Sequence, residues 1–291
     1  MKGSISINNQ AHDEIPTLLT HVTVPGCLSY DLLTFKSGCP FLSLQLQSTG
    51  VYEPCETALM CQLITPGDTV LDIGANIGYF TILASKLVGP KGRVFAFEPE
   101  AKNFHVLTQN VDQSKQDNIF CSRLGVSDDV GSSILYLCQD NPGGHHFHQP
   151  PRGWEADTQN IQTTSIDLFL ANQRGGVHFI KIDAQGWEPS IIRGMENTLS
   201  RNRDKAIVLI EFAPRALEAG PGGLDAAISL LKDQFTDFLF INETSMQVSK
   251  ISAENISMLG KQGMESPDGA YASLLGFADP AAYQTARRRI G

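Results

Sequence analysis

The chain has 291 residues, 42% of them hydrophobic, with 22 Lys and Arg against 31 Asp and Glu. That length suffices for one large α/β domain, and the net charge of -9 speaks against a broad nucleic-acid-binding surface. The N-terminus lacks the apolar core of a signal peptide, and no run of about 18 apolar residues marks a membrane span.

Taken in order, residues 1–50 read as an N-terminal extension or small cap, with residues 21–24 and 41–46 alternating like half-buried strands. Glu53-Pro54 opens a helical pattern over 56–64, ended by Pro66-Gly67. From there strands and helices alternate to the end of one domain, 51–291. Strands are expected at 69–73, 93–97, 119–124, 133–138, 177–182, 206–211, 238–241 and 271–277. Helices are expected at 77–87, 101–113, 188–199 and 223–235, with a short one that Ser165 caps. Such alternation predicts a mostly parallel, doubly wound sheet. Residues 140–160 break the rhythm as a Pro-, Gly- and His-rich insertion of the kind that forms lids and binding loops. The basic end Arg287-Arg-Arg289 reads as a solvated terminus. The cysteines Cys27, Cys39, Cys55, Cys61, Cys121 and Cys138 form no Cys-x-x-Cys pair, which predicts reduced thiols in a cytoplasmic protein.

The chemistry gathers where strands end, because ligands of open α/β sheets sit at the carboxyl edge. The strand at 69–73 breaks into Gly74-Ala75-Asn76-Ile77-Gly78, a turn that lets a ligand approach the backbone at a helix N-terminus. Glu98, after the next strand and before Pro99, is placed to accept two ribose hydroxyls. The glycine spacing is Gly-x-x-x-Gly rather than the dinucleotide Gly-x-Gly-x-x-Gly. Asp72 before the turn suits an ammonium or sulfonium group, or else ties down the loop through backbone N–H groups. Both features favour S-adenosylmethionine over a nicotinamide. Asp183 ends the strand at 177–182 and is a candidate base. It could equally orient the acceptor or hold a methionine ammonium. Ser127, after the third strand with Val126, stands where an adenine ring would lie, although a bare Ser-Asp turn looks the same. His145, His146 and His148 could supply a base, bind acceptor hydroxyls or bind a metal, or simply belong to a solvated loop; too few further ligands stand nearby for a metal. Phe147 and Trp154 in the same loop could stack on an acceptor.

The strings from Val70 to Phe80, Ala96 to Pro99, and Phe179-Ile-Lys-Ile-Asp-x-x-Gly-x-Glu188 resemble the FkbM-type S-adenosylmethionine-dependent methyltransferases over roughly residues 50–242. The resemblance implies a class I Rossmann-like methyltransferase fold and O-methylation of a sugar or polyketide-type hydroxyl on a small molecule. It also implies that Glu53 faces the amino-acid end of the cofactor and allows Tyr79 to contact its carboxylate. Gln185 stands where that family often has an acid, which weakens any case for a dense acidic cluster or a metal. N- or carboxyl methylation, and a non-catalytic cofactor-binding assembly protein, are the competing readings. No nucleic-acid or membrane partner is expected, and a homodimer stays open.

Overall fold

The computed structural model describes residues 15–36, 41–138, 143–148, 157–266 and 271–291. An antiparallel hairpin opens it, β1 (Thr17–Val24) and β2 (Leu28–Phe35), followed by α1 (Leu42–Thr49) and α2 (Pro54–Leu63). The segment expected as a strand at 41–46 is therefore helical. Its alternating leucines fit a strand, but Leu42 and Leu46, four apart, are buried while Leu44 is exposed, so a helical face won. Gly50, at φ 75, closes that helix.

The central sheet is then built from β3 (Thr69–Ile73), β4 (Arg93–Phe97) and β5 (Ile119–Ser122), linked by α3 (Tyr79–Val88) and α4 (Ala101–Ser114). The chain leaves it for a small sheet, β6 (Gly125–Val126), β7 (Gly131–Leu137) and β8 (Asp157–Thr164), and passes through α5 (Ile166–Phe169). It returns with β9 (Phe179–Ile182), α6 (Glu188–Arg193), α7 (Glu196–Arg201), β10 (Ile207–Phe212), α8 (Pro214–Ala219), α9 (Gly223–Gln234) and β11 (Asp237–Asn242). Finally come β12 (Gln247–Ile251), α10 (Ala253–Glu265), β13 (Ala272–Phe277) and α11 (Pro280–Ile290). The helix expected at 188–199 is two helices, because Gly194 and Met195 leave the helical register between them.

The sheet order is β12-β11-β13-β10-β9-β3-β4-β5. Neighbours from β10 to β5 pair in parallel, and β13 inserts antiparallel between β10 and β11. The chain runs outward from β3 to β5, then restarts at β9 on the other side of β3. That reversal opens a crevice at the carboxyl ends of β3 and β9. Side chains such as Val70, Phe179, Leu83 and Met60 pack one face of the sheet, and Leu71, Ile180, Ile192 and Leu231 the other.

The N-terminal hairpin shares the first of these cores through Val22, Tyr30 and Leu32. The Tyr30 hydroxyl donates to the Tyr79 carbonyl, and Asn110 bonds both backbone groups of Leu33. The basic end is the last turn of α11, where Arg287, Arg288 and Arg289 are all exposed and Arg289 also donates to the Leu63 carbonyl at the end of α2.

Candidate active site

Two strand ends meet in a cleft of about 390 Å³. On the β3 side the backbone turns at Gly74, φ 84, whose N–H and that of Ala75 both donate to the Phe97 carbonyl at 3.0 Å. A Cβ at Gly74 would run into the Asp183 carbonyl oxygen. The two strand ends thus approach as closely as they do only because this position has no side chain. Gly74→Ala is accordingly expected to lower stability by at least about 2 kcal/mol, from left-handed strain plus overpacking. A urea midpoint unchanged from the parent would remove that reading.

Glu98 stands at the end of β4 and is 5% exposed. Its Oε2 accepts the Asn76 N–H at 2.8 Å and its Oε1 the Glu100 N–H at 2.9 Å. The carboxyl is fixed by backbone on both oxygens and is also hydrogen-bonded by the Asn103 side chain. Burial pushes its pKa up to about 8 against the opposing pull of those donors. Asn76 itself sits at φ 50, with Oδ1 accepting the Ile77 N–H.

Across the crevice β9 and β10 bring an ionic group. Lys181 is 4% exposed, and its Nζ lies 3.0 Å from Asp183 Oδ2 and 4.6 Å from the Phe80 ring centroid. Burial works against the lysine's charge, but Asp183, Glu53, Glu56 and Asp72 around it hold the ammonium protonated. Burial likewise opposes ionisation of Asp183, and the Lys181 ammonium outweighs it, so its pKa falls below the usual range. Gln185, at φ 52, spans two acids: its Nε2 donates to Asp183 Oδ1 at 3.1 Å and to Glu211 Oε2 at 2.7 Å. Glu211, at the end of β10, is hydrogen-bonded to Asp183, and burial followed by the Asp183 charge raises its pKa well above normal. The two acids thus divide the roles, one ionised and one carrying the proton. Glu188 secures the turn between them and α6, its Oε1 accepting the Ala184 N–H at 2.9 Å. Among the described residues, no group of three or more His, Cys, Asp or Glu is arranged to hold a metal.

The cleft brings together most of the residues expected from the sequence. Glu53, Gly74, Ala75, Asn76, Tyr79, Glu98, Pro99, Val126, His145 and Asp183 line it. Asp72, Gly78, Ser127 and His146 do not, and each has another task. Asp72 is 2% exposed and accepts the Thr81 hydroxyl of α3, not backbone N–H groups. A Cβ at Gly78 would strike Leu107, so this glycine lets α3 and α4 pack. Ser127 takes the Trp187 indole N–H at 3.2 Å. His146 stacks on His148 at 4.3 Å, away from the lining. His145 Nδ1 accepts the Cys138 N–H at 3.0 Å, which fixes the neutral ring's proton on Nε2. That tautomer presents a donor, not a base, at the other nitrogen. Phe147 lines the cleft and stacks on Trp187 at 5.0 Å; Trp154 lies outside the described residues.

Lys181 and Glu211 belong to the site beyond the residues expected from the sequence. A lysine within the otherwise apolar Phe-Ile-Lys-Ile of a central strand was the available signal, since lysine is almost never fully buried unless paired.

A switch-point crevice with a glycine turn on one side and a strand-end acid beside it defines the class I methyltransferase architecture. The model of the methyltransferase FkbM domain matches residues 72–242, more than half of the chain, and the chain belongs to that family. It is 29% identical over 133 residues to the hexuronic acid methyltransferase AglP of Haloferax volcanii, a match covering 45% of this chain and 52% of that protein. The chain spans about half or less of the length of the curated relatives it matches. Solved structures similar to it include the methyltransferase FkbM from Methylobacillus flagellatus, at 16% identity and TM-score 0.42, covering 77% of this chain and 51% of that one. Another is Aeropyrum pernix fibrillarin with natively bound S-adenosyl-L-methionine, at 12% identity and TM-score 0.40, covering 74% of this chain and 68% of that one. No helix among the described residues is long and apolar enough to cross a membrane.

Proposed function

We propose that this methyltransferase uses S-adenosylmethionine to methylate a hydroxyl on a small, sugar-like or polyketide-like acceptor. The observation that carries the reading is the pairing of a backbone-fixed Glu98 with an ionised Asp183 at the ends of β4 and β9, on either side of β3 in one cleft. The donor set fits the cofactor: Glu98 lines the cleft and would accept from the ribose, and the buried Glu53 Oε2 has no partner among the described residues. Gly74, Ala75, Asn76, Tyr79, Pro99 and Val126 would line its path, and the cofactor when bound supplies an electrophilic methyl group. The chain's own work is then positioning and proton transfer. Asp183 takes the proton as the acceptor oxygen gains the methyl. Lys181 and Gln185 hold Asp183 in place.

The Asp183 side of the cleft is also flanked by Tyr52, Phe80 and Tyr271, which suits the apolar faces of a sugar ring or a polyketide. AglP, a hexuronic acid methyltransferase, is consistent with a sugar, although this rim carries the acids Glu53, Asp183 and Glu211. Among the described residues of the N-terminal extension, Phe41, Leu42 and Gln45 reach the same cleft and would cap it.

Transfer of label from methyl-labelled S-adenosylmethionine to candidate polyols, glycosides and amines tests the reading. Label on amines alone would overturn O-methylation. Glu98→Ala is expected to weaken cofactor binding about tenfold or more, because the hydrogen bonds its carboxyl would make to the ribose are lost. Calorimetry on the folded variant with unaltered affinity would remove Glu98 from the ribose site.

A further inference from the structure

A second cavity, about 220 Å³, lies at the opposite edge of the sheet, where β3, β4 and β9 begin. Its wall includes Arg93, Arg174, Arg201 and Lys205, and no Asp or Glu lines it. Four of the chain's 22 basic side chains thus share one hollow of a protein that is acidic overall. Among the described residues, none of the four forms an ion pair. Arg93 donates to the Arg174 carbonyl at 2.6 Å and lies 5.9 Å from the Phe95 ring centroid, and Arg201 Nε donates to the Asn197 carbonyl at 3.1 Å, neutral partners that leave both without an anionic counter-charge. Two acids stand behind the wall. Asp68 Oδ2 accepts from the Thr65 N–H and hydroxyl and Asp68 lies 3.9 Å from His178, and both Asp167 oxygens accept from Asn197 and Thr198. Neither pairs with a cation of the cavity.

The loop between the cations has the matching backbone. Gly175 and Gly176 carry N–H groups without a partner among the described residues. A Cβ at Gly176 would collide with the Lys205 ammonium, and one at Gly175 would press on the Arg93 guanidinium, so the glycines keep both charges close to the chain. Buried Asn202 braces the floor, its Oδ1 accepting the Val177 N–H at 3.0 Å. Like charges drawn together at a cost to the free protein are stabilised by an anion between them. Guanidinium forks match phosphate oxygens in pairs, and the volume falls below the roughly 300–1,000 Å³ of sites for larger organic ligands.

We infer that this cavity is a binding site for a small phosphate-type oxyanion, separate from the methyl-transfer cleft, formed by Arg93, Arg174, Arg201, Lys205 and the Gly175-Gly176 backbone. The anion is a free inorganic phosphate or diphosphate, or the phosphoryl end of a nucleotide; the recognition chemistry is the same. The site clamps the 173–177 loop to the starts of β3, β4 and β9.

Calorimetry on the full chain at fixed ionic strength tests this, with inorganic pyrophosphate as the probe. Saturable binding at one site per chain is expected, and Arg174→Ala with Arg201→Ala should weaken it by at least about tenfold. Arg174 and Arg201 are exposed, so the double variant should keep its thermal midpoint without ligand, and Lys261→Ala on α10 should bind as the parent does. A nucleoside diphosphate binding no more tightly than pyrophosphate would assign recognition to the phosphoryl groups alone; tighter binding would make the nucleotide the occupant. Absence of saturable binding, or equal affinity in the double variant, would overturn the site.

Discussion

Replacing Lys181 by alanine is expected to cost about 3–5 kcal/mol of stability, because it leaves a buried acid without its partner. The side chain is 4% exposed and lies 3.0 Å from Asp183, with Glu53, Glu56 and Asp72 also acting on it. In the parent the ammonium offsets this cluster. Without it, the acids must take up protons or repel, and Asp183 must ionise against burial alone. The pKa of Asp183 is depressed in the folded chain, so its pairing stabilises above the unfolded carboxyl range and is lost as pH falls through the folded value. The deficit of Lys181→Ala should therefore be largest near neutral pH and shrink in acid. Lys181→Met, which restores volume but not charge, should recover part of the packing loss. Urea denaturation of the three proteins at neutral and acid pH is the measurement. A deficit independent of pH would mean that Lys181 contributes packing against Phe80 and not charge.

The parts of this site that were legible in sequence are those set by local chain geometry. Gly74 and Glu98 could be read because a glycine turn and a strand-end acid carry their meaning within a few residues. The strand at 93–97 was found to the residue because Val94 to Phe97 is one buried apolar run. The strand β8 was missed because its polar string Asp157 to Gln162 has only Ile161 facing inward before Thr163 and Thr164. The helix α1 was misread because Leu-Ser-Leu-Gln-Leu satisfies periods of two and of four alike, and tertiary packing decides between them. Asp72, Gly78 and Ser127 sit in the right motif, yet their side chains or their missing Cβ serve Thr81, Leu107 and Trp187. Those partners are fixed only when helices and strands far apart in sequence meet. Glu211 is the same problem in reverse: it ends an apolar strand as Asp183 does, but its role follows from Gln185, 26 residues before it, bridging the two acids.

That bridge determines what should follow when the acids are altered one at a time. Asp183→Asn keeps the size of the side chain and its contact with Gln185, and removes the charge that could accept a proton. If Asp183 takes the acceptor's proton, single-turnover methyl transfer should fall by about 10²–10⁴. Cofactor affinity should change far less, since Glu98 ends β4, on the other side of β3. Glu211→Gln should behave differently. Glu211 is held protonated by burial and by Asp183, so an amide there can still donate a hydrogen bond, and the rate should fall only modestly. In the parent, the rate should decline as acid protonates Asp183, at a pH below the ordinary carboxyl range because of Lys181. That acid limb should disappear in Asp183→Asn and persist in Glu211→Gln. If Asp183 instead holds a cofactor ammonium, affinity should drop before the rate does. If Glu211→Gln loses the limb while Asp183→Asn keeps it, the two acids have exchanged roles, and the base is the one whose proton the fold was expected to retain.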